Sequence, residues 1–457
     1  MRKYVLISFY IFLFLGLMSC ASTKKPEWKY LFNGKDLSGW VQRNGKASFE
    51  VNDSVIVGTT VLNTPNSFLC TENKYGDFIL ELEFKVAPDM NSGVQIRSES
   101  TPEYLNGRVH GYQVEIDPSD RAFTGGIYDE ARRGWLYPLN DPEDAEARGA
   151  FKNGQWNKFR VEAIGNNIRT WVNGVPVTNL YDEMTPEGFI ALQVHSVGKD
   201  SSRVGEQIMW KNIRILTGNL DEYAQESPAR VKSYLVNTLT DREKAEGWKL
   251  LFDGKTSNGW RRAYHDSFPE KGWRIADGEI TVLPSNGAES ENGGDIVTTD
   301  QYADFELQAQ VKITKGANSG IKYFVTEQED GNTGSAIGLE YQVLDDANHP
   351  DAKLGNHEGS RTMASLYDLI KAQNKRPNAI GRWNNVRIIS NGHHVEHWLN
   401  GFKVLEYERG SDHFKKLVSE SKYAKWPNFG EAEKGHILLQ DHGNEVSYRS
   451  IKLKILD

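Results

Sequence analysis

Four short stretches of this chain carry polar side chains at strand spacing. Gly111-Tyr-Gln-Val-Glu-Ile-Asp117 places Gln113, Glu115 and Asp117 on one face of a strand, because successive side chains alternate. Gly338-Leu-Glu-Tyr-Gln-Val-Leu-Asp345 places Glu340 and Gln342 in the same way, with carboxylate and amide exchanged. Leu192-Gln-Val-His195 joins Gln193 to His195, and Leu439-Gln-Asp-His442 joins Gln440 to His442. On the opposite face stand Val114, Ile116, Tyr341 and Val343, which suit a core. Carboxylates, amides and imidazoles are the acceptors and donors that a sugar ring needs, and histidine moves protons near neutral pH. The plainer reading is a solvent-facing strand with a packing histidine. The return of the pattern in two places favours a site.

A second group of titratable residues occurs only toward the C-terminus. His397 lies in Glu396-His397-Trp398 where the earlier copy has Arg169-Thr170-Trp171. Arg361 precedes Leu366-Tyr367-Asp368, itself the counterpart of Ile127-Tyr-Asp129. Lys422 and Tyr423 belong to a stretch without an earlier counterpart, and Phe324 replaces Arg97. If one copy is catalytic, the later one has the richer set.

The positioning elements are themselves duplicated. LFNGKDLSGW at 31–40 returns as LFDGKTSNGW at 251–260. Tyr75-Gly-Asp-Phe78, Asn91-Ser-Gly93, Trp156-Asn157 and Trp171-Val-Asn-Gly174 return as Tyr302-Ala-Asp-Phe305, Asn318-Ser-Gly320, Trp383-Asn384 and Trp398-Leu-Asn-Gly401 at one constant offset. A repeat this long is a tandem domain duplication and not a solenoid. Phe78-Ile-Leu-Glu-Leu-Glu-Phe84 and Phe305-Glu-Leu-Gln-Ala-Gln-Val311 alternate as half-buried strands do, and Asn173-Gly174 and Asn400-Gly401 are hairpin turns. Many short strands with turn signals between them predict an all-β chain of two antiparallel sandwiches, over 29–216 and 248–457. Between them, 217–247 is read as a helical connector, with capping-box spacing at Thr240-Asp-Arg-Glu243 and a terminating Gly247.

The 457 residues accommodate two such cores, and a net charge of −8 without any basic run argues against nucleic acid as a partner. The 19 Tyr, 19 Phe and 12 Trp suit stacking on sugars as well as sandwich cores. Residues 1–20 read as a signal peptide, with basic Arg2 and Lys3, an apolar run, and Leu17-Met-Ser-Cys20 at its end. That ending resembles the bacterial lipobox, which implies lipidation at Cys20 and a membrane anchor with a short tether. Ala21 and Ser22 lack the inner-membrane retention aspartate, so the outer membrane, facing the periplasm, is the expected address. The remaining cysteine, Cys70, then has no disulfide partner.

Taken in order, these motifs resemble the 3-keto-disaccharide hydrolase domain family, a concanavalin A-like jelly roll. Both units carry the resemblance, and the second does so nearly end to end, through Glu340-Tyr-Gln342, His397-Trp-Leu-Asn-Gly401 and Leu439-Gln-Asp-His-Gly443. The first unit departs by carrying Gln113 where Glu340 stands and Glu115 where Gln342 stands. The resemblance implies hydrolysis or elimination of glycosides oxidised at C3.

Such chemistry has a physical logic. A C3 ketone acidifies the C2 hydrogen, the resulting enolate expels the C1 substituent, and water adds back. His442 or Glu340 is the expected base, and Lys422 or a divalent metal stabilises the enolate oxygen. Gln342, Gln440, Arg361, Tyr367 and His397 are expected to bind substrate, with Gln113, Glu115, Gln193 and His195 their counterparts in the first unit. A metal would be held by Glu340 with His397 or His442, although no compact His-Glu-x-x-His motif is present. Two rival readings remain. Glu115-Ile-Asp117-Pro-Ser-Asp120 resembles the catalytic strand of retaining β-glucanases, and the same fold also serves lectins that bind without reacting.

Overall fold

The computed structural model describes residues 26–285, 292–327 and 336–456, so the N-terminal apolar run and Cys20 lie outside the described residues. Two β-sandwiches follow one another along the chain. Among the described residues, the first has a nine-stranded sheet running Val231–Ser233, Val175–Tyr181, Asn167–Val172, Asn157–Ile164, Phe78–Val86, Gln207–Leu216, Val55–Thr59, Ser48–Asn52, with Lys29–Tyr30 added on Gln207–Leu216. Its second sheet runs Gly134–Tyr137, Ile127–Glu130, His110–Ile116, Ser92–Glu99, Phe189–Val194, Ser67–Thr71, Trp40–Asn44. Among the described residues, the second unit repeats this with an eight-stranded sheet centred on Phe305–Ile313 and Val446–Ile455. Its smaller sheet runs Trp260–Arg262, Ile296–Thr298, His436–Leu439, Asn318–Thr326, Ile337–Leu344.

The alternation read from the sequence sets the cores. Phe78, Leu80, Leu82, Phe84 and Val86 all enter the first core, and Phe305, Leu307, Ala309, Val311 and Ile313 enter the second. Each large side chain so buried contributes roughly 1.5–3 kcal/mol. The most repeated motifs hold the scaffold. Trp40 Nε1 donates to Leu31 O at 2.9 Å, and Trp260 Nε1 to Leu251 O at 2.6 Å, closing the same loop in both units. Asn173 and Asn400 adopt left-handed φ values of 51° and 50° in their hairpin turns. Their amides donate to Asn157 Oδ1 and Asn384 Oδ1 at 2.8 and 2.9 Å, which accounts for the paired Trp-Asn motif.

The connector is less helical than its composition suggests. Leu220–Tyr223 and Asp241–Ala245 are single turns, the latter capped reciprocally by Thr240 and Glu243 as the spacing predicts. Between them, Val231–Ser233 runs parallel to Val175–Tyr181 and extends the first unit's large sheet. An open sheet edge satisfies the backbone of this segment better than an isolated helical turn does.

The same segment joins the units electrostatically. Asp141 of the first unit accepts from Lys232 at 2.9 Å and from Arg387 of the second unit at 2.7 Å, while Arg230 reaches both Asp141, at 3.3 Å, and Glu306, at 2.5 Å. Burial alone would raise the Asp141 pKa, yet Lys232, Arg387 and Arg230 hold it well below the usual carboxylate range.

Candidate active site

The first unit's small sheet turns its outer, non-core face toward a polar hollow. In the first unit the hollow is floored by neighbouring strands whose amides form a chain. Gln95 Nε2 and Gln193 Nε2 donate to Gln113 Oε1 at 2.6 and 2.8 Å. Gln113 Nε2 donates in turn to Glu115 Oε2 at 2.8 Å, and Asn91 Nδ2 to Glu115 Oε1 at 2.7 Å. Burial pushes the Glu115 carboxyl up to about 7, against the opposing pull of the Asn91 and Gln113 amides. His195 stands at the end of its strand with Nδ1 against Ser196 O at 2.9 Å, and burial lowers its pKa. Above this floor lies a cleft of about 810 Å³.

The second unit replaces this amide chain with charges. In the ladder Gly320 faces Gln342 and Lys322 faces Glu340, as Gly93 faces Glu115 and Gln95 faces Gln113 in the first. Gln440 N donates to Gly320 O at 3.0 Å, which brings the third strand alongside. Missing a side chain, Gly320 leaves room for the carboxylate of Glu340 to lie over the strand: a Cβ there would meet Glu340 Oε1 at 2.2 Å. Lys322 is buried, with its ammonium 3.8 Å from the buried Asp295 carboxylate. The ladder pairs Ile296 with Leu439 as it pairs Leu69 with Leu192, so Asp295 takes the place of Phe68.

A wall rises beside Glu340 along the sheet edge. Tyr367 N donates to Glu340 O at 3.0 Å, and Tyr367 Oη to Asp351 Oδ2 at 2.9 Å. The Lys422 ammonium sits 4.2 Å from the centre of the Tyr367 ring, and the Arg361 guanidinium 5.1 Å from it. Burial raises the Tyr367 phenol above its ordinary range, with the Glu340 and Asp351 charges adding to the effect. At the other end, His442 meets His349 edge to face, ring centres 5.9 Å apart.

Glu340, Gln342 and Gln440 therefore stand on adjacent strands of the second unit's small sheet, with Tyr367 and Lys422 beside its edge and His442 two residues beyond Gln440. Gln113, Glu115, Gln193 and His195 belong to the hollow of the first unit. Two expected substrate contacts are placed differently. Arg361 spends its guanidinium on Asp351 and Asp368, at 2.8 and 2.7 Å, and so braces the wall. His397 is buried in the sandwich core, between Ala364 O at 3.0 Å and Tyr323 Oη at 2.8 Å, and burial lowers its pKa to about 4. On its strand His397 shares the core side with Val395 and Leu399, as simple alternation along the strand requires. Of the two ligand pairs expected for a divalent ion, the one with His397 fails on this geometry, and Glu340 with His442 remains. Among the described residues, the cluster with ligand atoms close enough for a metal is His394, Glu396 and Glu406, on the other sheet, where Lys403 already pairs with both carboxylates. The glucanase spacing is not realised either. The strand ends at Ile116, Asp120 is exposed in the following turn, and Asp117 is tied to Arg121 at 2.8 Å.

Sequence reading missed Lys322 and Asp295, and in the first unit Gln95 and Asn91. Lys322 lies two residues beyond Gly320, on the same strand face, so the alternation rule could have found it. Asp295 could not be found that way, because its place depends on the register with His436–Leu439.

Comparison with known proteins bears on both units. A family described as the 3-keto-alpha-glucoside-1,2-lyase-like domain matches residues 27–216 and again 247–454. The chain is 38% identical over 257 aligned residues to the 3-keto-disaccharide hydrolase of Bacteroides thetaiotaomicron, covering 52% of this chain and 88% of that protein. It is 33% identical to a candidate glycosyl hydrolase of solved structure from Parabacteroides distasonis, covering 49% of this chain and all (100%) of that one, with a TM-score of 0.43. A carbohydrate-binding module from Bacillus subtilis is 14% identical, over 39% of this chain and 95% of that module, with a TM-score of 0.29.

Proposed function

This chain belongs to the 3-keto-alpha-glucoside-1,2-lyase-like domain family, in two copies, and from that premise we propose that its second unit cleaves glycosides carrying a ketone at C3. The observation that carries this reading is the second unit's replacement of an amide chain by the charged set Lys322, Glu340 and Asp295, on strands that also carry Gln342 and Gln440.

In this mechanism Glu340 takes the C2 proton. Lys322 stands opposite it across the ladder. The electron pair moves to the C3 oxygen as an enolate, which the exposed Lys422 ammonium on the rim stabilises. Collapse of the enolate restores the ketone, forms the C1–C2 double bond and expels the aglycone, which takes a proton from His442. Water then adds its hydroxyl to C1 and a proton to C2, giving net hydrolysis. Gln342 and Gln440 orient the ring hydroxyls.

The test is the reaction run in deuterium oxide with a 3-keto-glucoside. This mechanism puts deuterium at C2 of the released sugar from the earliest turnovers, whereas direct displacement at C1 leaves C2 unlabelled. The apolar N-terminal run and Cys20 support a further reading, that the protein is lipid-anchored in the outer membrane and meets its substrate in the periplasm.

A further inference from the structure

The cleft of the first unit is not closed by the first unit alone. Besides its own Tyr128, Trp135 and His195, it is lined by Arg376, Asn378, Asn400 and Phe402 of the second unit. We propose that this cleft is a second saccharide-binding site, shared by both units and built only in the tandem protein. The ligand class follows from the cleft's own chemistry and does not require the second unit to be catalytic.

The volume of about 810 Å³ falls in the range of small-molecule sites and accommodates a disaccharide. The floor offers neutral amides from Gln113 and Gln193, and Glu115 is poised to be half protonated near neutral pH. The charged groups of the walls are largely spent on each other. Arg121 pairs with Asp117 at 2.8 Å, Arg108 with Glu130 at 3.1 Å, and Arg133 with Asp129 and Asp182 at 2.5 and 2.7 Å. Such a lining has donors and acceptors in plenty but little net field, which suits an uncharged polyol better than an anion or a cation. Trp135 is held edge-on by Phe123 and Tyr128, ring centres 5.0 and 5.3 Å away, has the Arg121 guanidinium 5.3 Å from its ring centre, and remains partly exposed to the cleft. A fixed, partly open indole is what an aliphatic sugar face stacks on.

The wall from the second unit is preformed. Asn400 Nδ2 donates to Arg376 O at 2.9 Å, pinning the loop to the Asn-Gly turn, and the Arg376 guanidinium lies 5.2 Å from the Phe402 ring centre. The turn is docked in its own right: Asn140 of the first unit donates to Gly401 O, and Pro138 packs against Gly401. Holding a wall in place before binding lowers the ordering cost of the complex.

The experiment is a calorimetric titration of the full tandem chain carrying Glu340→Gln, to stop turnover, with methyl 3-keto-α-glucoside and separately with maltose. Two sites per chain are expected for the keto sugar, and Trp135→Ala, or the exposed-residue change Arg376→Ala, weakens one of them by about tenfold or more. A single site that Trp135→Ala removes also supports the shared cleft, and would instead count against the catalytic role of the second unit. Binding that neither Trp135→Ala nor Arg376→Ala alters, or no binding of either sugar, overturns the proposal.

Discussion

Gly320 and Glu340 share one small volume, so that a β-carbon on the glycine would stand 2.2 Å from the Glu340 Oε1 atom. The carboxylate is placed by what its neighbour lacks. Gly93 and Gln113 repeat the relationship, with the missing β-carbon 2.5 Å from the glutamine side chain. The two units thus share this glycine-beside-long-side-chain arrangement and give it different chemistry, a carboxylate in one and an amide in the other.

Gly320→Ala therefore displaces the proposed base while leaving both cores intact. A misplacement on the order of 1 Å costs about a hundredfold in rate. Steady-state kinetics on a 3-keto-glucoside should show that loss with a melting temperature close to the parent's. Gly93→Ala, which disturbs only the first unit's hollow, should leave turnover near the parental value.

Glu115 makes a pH prediction. Its carboxyl protonates near pH 7 in the folded protein and near pH 4.5 in the unfolded chain, because burial disfavours the anion. Stability held by the neutral form is complete below about pH 4.5 and is lost as the pH rises toward 7, by up to about 3 kcal/mol. Denaturant melts across that interval should show this falling slope in the parent and a shallower one in Glu115→Gln.

Asp141 is the shared counter-charge of Arg230, Lys232 and Arg387 between the units. Asp141→Ala leaves those cations buried without it and is expected to cost about 3–5 kcal/mol. The exposed Lys416–Glu420 pair, at 4.0 Å, is the control, and Glu420→Ala should change stability by less than about 1 kcal/mol. Equal effects from the two changes in denaturant unfolding would contradict the role given to Asp141.

The N-terminal reading predicts that Cys20→Ser abolishes metabolic labelling with palmitate and moves the protein from the membrane to the aqueous fraction. Unchanged fractionation would mean that Cys20 is not the anchor.

What the sequence made legible was whatever depends on local periodicity. Phe78 to Phe84 reads as a strand because its core residues alternate, and Asn400-Gly401 reads as a turn because few residues accept a left-handed φ. Gln342 and Glu340 could be placed on one face for the same reason. His397 misled because it stands between Glu396 and Trp398, which are polar or aromatic, although alternation with Val395 and Leu399 puts it on the core side. Asp295 and the wall that Arg376 and Phe402 lend to the first unit depend on strand register and on how the units dock. Neither is written in local spacing.

The most direct measurement is aglycone release from a 3-keto-glucoside by the full chain carrying Glu340→Gln and, separately, Glu115→Gln. The second-unit assignment predicts a loss of about a hundredfold or more for Glu340→Gln and a rate within about threefold of the parent for Glu115→Gln. A parental rate for Glu340→Gln, with the loss falling on Glu115→Gln, would place the chemistry in the first unit and contradict the account.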